Sequence, residues 1–117
     1  MPYKLFLDDK RTPKRTHPYS KKPDHSKFWD DIKIARTYDE AVGIINEFGA
    51  PYMLMLDYFL GDDHFLGIDV VNYFVEYIME DQSRLPDNFH YHCHTSSETG
   101  ARVMSEKLEE MLKKIYG

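Results

Sequence analysis

Two short, mostly apolar runs that each end abruptly in carboxylates govern what this chain can fold into. Tyr3–Leu7 runs into Asp8-Asp9, and Tyr52–Leu56 runs into Asp57. Compact runs of this length, bounded by polar residues and alternating with longer helical periods, read as buried strands of a parallel sheet. Asp31–Arg36 alternates Ile32 and Ile34 with polar neighbours and reads as a short strand at an edge. Phe89–Thr95 reads as the last strand.

Helical periods fill the intervals. Tyr38–Phe48 puts Ala41, Ile44, Ile45 and Phe48 on one face, with Thr37 or Asp39 to cap its start and Gly49 to end it. Gly67–Asp81 spaces Ile68, Val71, Val75 and Ile78 helically, and Thr99–Tyr116 lines up Met104, Leu108, Met111 and Ile115. The expected architecture is a three-layer α/β fold. About four parallel strands carry helices on both faces, because right-handed crossovers distribute them so. In such sheets ligands bind beyond the carboxyl ends of the strands, where strand order reverses. Both acidic clusters fall at such ends.

With 117 residues, the chain is expected to form one domain over 1–117. A single cysteine, Cys93, leaves no internal disulfide and suits a reducing compartment. No window approaches the roughly 20 apolar residues of a membrane span, and the start lacks a signal-peptide pattern. The expected setting is cytoplasmic, with no membrane partner and no DNA-binding motif. Charge is uneven. Residues 10–27 hold seven of the fifteen basic residues and one of the twenty acids. Three prolines and no periodicity make about 10–28 a basic loop insertion, solvated or drawn to an anionic ligand. Lys14 and Arg15 are its candidate phosphate contacts, and Tyr19 and Phe28 are possible stacking faces for a nucleotide.

If the strands ending at Asp8-Asp9 and Asp57 are neighbours, about 4.8 Å apart, three carboxylates share one crevice. Such a trio repels itself unless a cation sits within it or one member is protonated, and Mg²⁺ suits oxygen ligands shared with a phosphate. Solvated acids at strand ends are the plain alternative. Arg11 either pairs with these acids or reaches a phosphate with its planar fork. In the last strand His90, His92 and His94 face one way. His90 and His94 stand roughly 13 Å apart, too far to share one zinc ion. His92 and His94 are close enough, but a third ligand is not visible. His90 and His92 read as hydrogen-bonded histidines under a helix. His94 reaches the strand end, where it suits proton transfer. Thr95, Ser96 and Ser97 offer hydroxyls beside a helix start, or simply cap it.

Asp8-Asp9, Asp57 and the hydroxyls after the next strand resemble response-regulator receivers, yet no fifth strand with the phosphate-contacting lysine of that class follows Ser97. A narrower resemblance covers nearly the whole chain in order. Leu5 to Pro13 with its Asp-Asp-x-Arg-x-Pro, Trp29, Thr37 to Ala41, Leu56-Asp57, Leu66 to Val71, His94 to Ser97, Gly100-Ala101 and Met104 are similar to the cyclic-phosphate processing receiver-like family. The resemblance implies a truncated receiver (flavodoxin-like) fold acting on a cyclic phosphate, either an RNA 2′,3′-cyclic end or a cyclic nucleotide. It implies Asp8, Asp9 and Asp57 as the acidic, Mg²⁺-holding centre, Arg11 as a phosphate contact, and His94 with Thr95 as contributors from the last strand. On the reading of the residues, Asp57 and His94 are the candidate catalytic groups, and Ser96 joins Arg11 and Thr95 as a candidate phosphate contact. Tyr58-Phe59 stand where the family tends to have histidine and a second aspartate, and Ser97 stands where it often has asparagine. The expected function is a metal-assisted phosphoesterase. The alternatives are a non-catalytic nucleotide-binding module and a degenerate receiver used for protein contacts.

Overall fold

The computed structural model describes residues 2–11, 30–61 and 64–117. Along the chain these form β1 (Lys4–Leu7), β2 (Ile32–Ala35), α1 (Tyr38–Phe48), β3 (Met53–Leu56), α2 (Gly67–Glu80), a 3-10 turn (Gln82–Arg84), β4 (His90–Cys93) and α3 (Glu98–Tyr116). All strand pairings are parallel, in the order β2-β1-β3-β4. That order is the flavodoxin-like one without a fifth strand among the described residues, and β1 and β3 flank its switch point.

The crossovers β2–α1–β3 and β3–α2–β4 step the same way across the sheet, so right-handedness puts α1 and α2 on one face. Leu5, Leu7, Leu54 and Leu56 point there and form a single core with Ala41 and Ile45 of α1 and Val70, Val71, Phe74 and Ile78 of α2. Met104, Leu108 and Met111 bring α3 onto the same core. The other face carries a smaller cluster of Phe6, Met53 and Met55 with Ile32 and Tyr52 against it. The β1–β2 connection runs in the opposite sense, and its residues 12–29 lie outside the described residues.

Local chemistry sets the ends of the elements. Thr37 accepts a hydrogen bond from the Glu40 N–H, the Glu40 carboxylate accepts one from the Arg36 N–H, and α1 ends at Gly49 with φ +86°. Strand β4 stops at Cys93, so His94 lies just past it, and its N–H donates to Leu56 at 2.8 Å. Side chains of β4 alternate as expected, with Tyr91 and Cys93 packed on the main core and His94 on the opposite face. One expectation fails. His90, on an edge strand, is exposed, with Nδ1 3.1 Å from the Asn88 carbonyl, and no helix among the described residues covers it. No helix among the described residues is long and apolar enough to cross a membrane.

Candidate functional site

Strands β1 and β3 are paired residue for residue, Leu7 opposite Leu56, so the residues that follow them emerge side by side. Asp8, Asp9 and Asp57 each offer one oxygen, and these oxygens lie within 4.8 Å of one another. Among the described residues this is the one group of three or more acidic, histidine or cysteine side chains positioned to share an ion. The carboxylates open into a cavity of about 370 Å³ also lined by Lys10, Arg11, Phe59, Gly61, Thr95 and Ser96. A neighbouring cavity of about 450 Å³ shares Asp9, Lys10 and Gly61 and is lined further by Arg36, Thr37, Asp39 and Leu60.

Asp8 is buried and fully engaged. Its Oδ1 accepts from the backbone N–H groups of Lys10 (2.9 Å) and Arg11 (2.8 Å). Its Oδ2 accepts from Arg11 Nε (2.9 Å) and faces His94 Nε2 (3.1 Å). Burial raises the Asp8 pKa, but the two backbone donors and the Arg11 and His94 charges outweigh it, holding the carboxyl below its ordinary range. Asp57 accepts from the Tyr58 N–H through Oδ1 (2.8 Å), and its Oδ2 lies 3.4 Å from Arg11 Nη2. The guanidinium of Arg11 therefore bridges Asp8 and Asp57, supplying the positive charge that the trio needs.

Oxygen donors converging from two adjacent strands suit a hard divalent cation, and Arg11 stands in competition with one for the same oxygens. Arg11→Gln is expected to raise Mg²⁺ affinity by on the order of tenfold, because a half-exposed cation beside two buried acids is removed. The same change should weaken binding of a phosphate ligand. Calorimetric titrations of each ligand in turn read the two opposite signs, and a fall in both would reduce Arg11 to a scaffold residue.

His94 is placed differently from a surface proton carrier. Its side chain is 2 % exposed and its ring stacks on Phe6 with centroids 4.7 Å apart. Nε2 addresses Asp8, and Nδ1 is buried without a hydrogen-bond partner among the described residues. Burial depresses the His94 pKa, and the nearby Asp8 and Asp57 only partly reverse this. His92 is depressed by burial as well. The unfolded chain then holds imidazole protons that the folded chain rejects, so stability is full above about pH 6.5 and falls as pH drops through the folded values. Asp8, depressed too, adds a second loss below about pH 3.9. Urea midpoints measured in chelator from about pH 8 to about pH 3 should fall in these two stages, and His94→Gln should shrink the first. A midpoint flat across the first stage would contradict neutral, buried histidines.

Thr95 and Ser96 line the cavity beside Arg11. Thr95 Oγ1 accepts from the Ser97 N–H (3.2 Å), which leaves its own hydroxyl proton to donate. Ser97 caps α3 by accepting from the Gly100 N–H (2.9 Å), so the last of the three hydroxyls is structural. Lys14, Arg15, Tyr19 and Phe28 lie outside the described residues.

Two contributors carry no signal that the sequence reading used. Arg36 donates through Nη1 to the carbonyls of Asp8 (3.0 Å) and Arg11 (2.6 Å), tying down the exit of β1. Gly61, at φ +65°, lets the backbone close against the Asp9 carboxylate, where a Cβ would collide with Oδ2. The turn chemistry of Leu60-Gly61 was available as a hint for the second; nothing in the pattern around Arg36 pointed to the first.

Among solved structures, the receiver domain of NtrX from Brucella abortus is 16 % identical over 94 % of this chain and 98 % of that one, with a TM-score of 0.49. A crystal structure of NtrX from Brucella abortus matches at the same identity and score over 97 % of this chain, which spans 28 % of that longer protein. No curated protein matches the chain significantly. The family described as the cyclic-phosphate processing receiver domain matches residues 3–110. The acidic trio, Arg11, Gly61 and Thr95 all fall within that span, and the chain belongs to the cyclic-phosphate processing receiver domain family.

Proposed function

We propose that the chain is a metal-assisted phosphoesterase that opens a cyclic phosphate, either on an RNA 2′,3′-cyclic end or on a cyclic nucleotide. The observation that carries this reading is the convergence of Asp8, Asp9 and Asp57 within 4.8 Å, in a cavity whose remaining walls offer Arg11 and Thr95. A phosphodiester needs its charge neutralised and a water delivered in line with the bond to be broken. Mg²⁺ held by the three carboxylates would supply charge neutralisation and a polarised water.

The chain's own groups do the rest. Arg11, when turned from Asp8 and Asp57, offers its outer nitrogens to the phosphate oxygens, and the Thr95 hydroxyl donates to another. The water oxygen forms the new P–O bond, one ring P–O bond breaks, and the released sugar oxygen takes up a proton from solvent water. His94 in this reading is a positioning residue: it keeps the Asp8 carboxylate oriented and charged, and its burial withholds it from the leaving oxygen. Asp9, the member of the trio that is not buried, is the carboxylate best exposed to accept the proton of the water.

Purified protein incubated with nucleoside 2′,3′-cyclic, 3′,5′-cyclic and cyclic-dinucleotide phosphates tests this by chromatography. The expected result is a linear phosphomonoester with Mg²⁺ and none with chelator; no product from any compound would remove the enzymatic reading. Capture without turnover is the second reading. It is favoured by the fully hydrogen-bonded state of Asp8 and the Arg11 bridge, which together satisfy Asp8 and Asp57 without a metal. One compound retained through desalting, unchanged, would support it.

A further inference from the structure

We propose that Phe59 is the stacking platform for a nucleobase, so that the ligand is a nucleotide and not a base-free sugar phosphate. This rests on reading the cavity as a cyclic-phosphate site. Phe59 is 58 % exposed, yet it lines the same cavity as Arg11, Asp57, Thr95 and Ser96. Its exposure is not that of a loose loop. The backbone at Phe59 is held by an antiparallel bridge to Leu66, and Leu60, next in the chain, is buried at 3 %. On its other side Tyr58 is wedged against Gly100 at the start of α3, and the Tyr58 ring meets Phe59 edge-on with centroids 5.0 Å apart.

The backbone at Phe59 is thus held between two anchored neighbours, and its ring stands exposed at the rim of a charged cavity. The charged walls bind an anion but cannot cover an aromatic face. A ligand carrying both a phosphate and a flat ring satisfies both walls at once. Base–aromatic stacking tolerates any base, since each has a π-face. Phe59 therefore selects nucleotides as a class without choosing among them.

Adenosine 2′,3′-cyclic phosphate and methyl riboside 2′,3′-cyclic phosphate test the assignment in the presence of Mg²⁺, read as KM where the compound is turned over and as calorimetric affinity where it is not. Wild type should prefer the adenosine compound by about tenfold or more. Phe59→Ala should bind the two compounds alike, and Phe59→Tyr, which keeps the aromatic face, should retain the preference. A preference undiminished in Phe59→Ala overturns the platform and leaves the cyclic-phosphate site standing. Binding of neither compound by wild type overturns both.

Discussion

Asp57→Asn is expected to lower turnover of a nucleoside 2′,3′-cyclic phosphate by about a hundredfold or more, the scale seen when one preorganised electrostatic contact to a reacting group is lost. The substitution is nearly isosteric. The retained carbonyl oxygen still accepts from the Tyr58 N–H, so the turn after β3 keeps its hydrogen bond. What disappears is the charge that meets Arg11 and that a cation would need. Mg²⁺ affinity should fall with turnover while the melting temperature changes little. Chromatographic rates, a Mg²⁺ titration and a thermal melt on one preparation separate the cases. Full activity in Asp57→Asn would show that the acidic trio is not the reacting centre.

The second large effect is on the fold, and it reaches the same site. At Gly67, where α2 begins, an added Cβ would fall far inside contact distance of the Asp57 carbonyl oxygen and 2.9 Å from Met104 Sδ. The backbone cannot yield there without moving. The Gly67 N–H donates to the Tyr58 carbonyl at 2.7 Å, and the Leu66 N–H donates to Asp69 at 2.7 Å. Gly67→Ala should destabilise by about 1–3 kcal/mol, the cost of overpacking a closed site. It should also reduce turnover, because the collision is with the backbone of Asp57 itself. Gly43 supplies the opposite case: it sits on an exposed face of α1, and nothing lies within 4 Å of a Cβ placed there. Gly43→Ala should stabilise by about 0.5–1 kcal/mol through helix propensity alone. Urea unfolding of both variants reads the two signs; equal and small effects would mean that α2 is not clamped onto the end of β3.

The strands and helices were legible because burial and period coincide in them. Leu54 and Leu56 line the main core, Met53 and Met55 fill the smaller cluster on the other face, and the run that contains them looks apolar throughout. The switch-point site followed from the carboxylates at the ends of Tyr3–Leu7 and Tyr52–Leu56, since two parallel neighbours deliver their next residues to the same crevice. Long-range geometry was not legible. A period of two assigns His94 a face, but it does not reveal that Phe6 lies under its ring or that Asp8 takes up Nε2. Nor does it show that Arg36 reaches back to carbonyls 28 and 25 positions earlier in the chain. Gly67 and Gly100 carried the family resemblance without a stated reason, and the structure supplies one: each makes room for the turn that follows Asp57.

The most direct test of the acidic centre is a Mn²⁺ titration followed by paramagnetic broadening of assigned amide signals. The account predicts one saturable site per chain, displaced by Mg²⁺, with broadening centred on Asp8, Asp9 and Asp57 and spreading to Lys10, Arg11 and Thr95. Broadening centred elsewhere, or none that saturates, would contradict a cation-holding centre at the ends of β1 and β3.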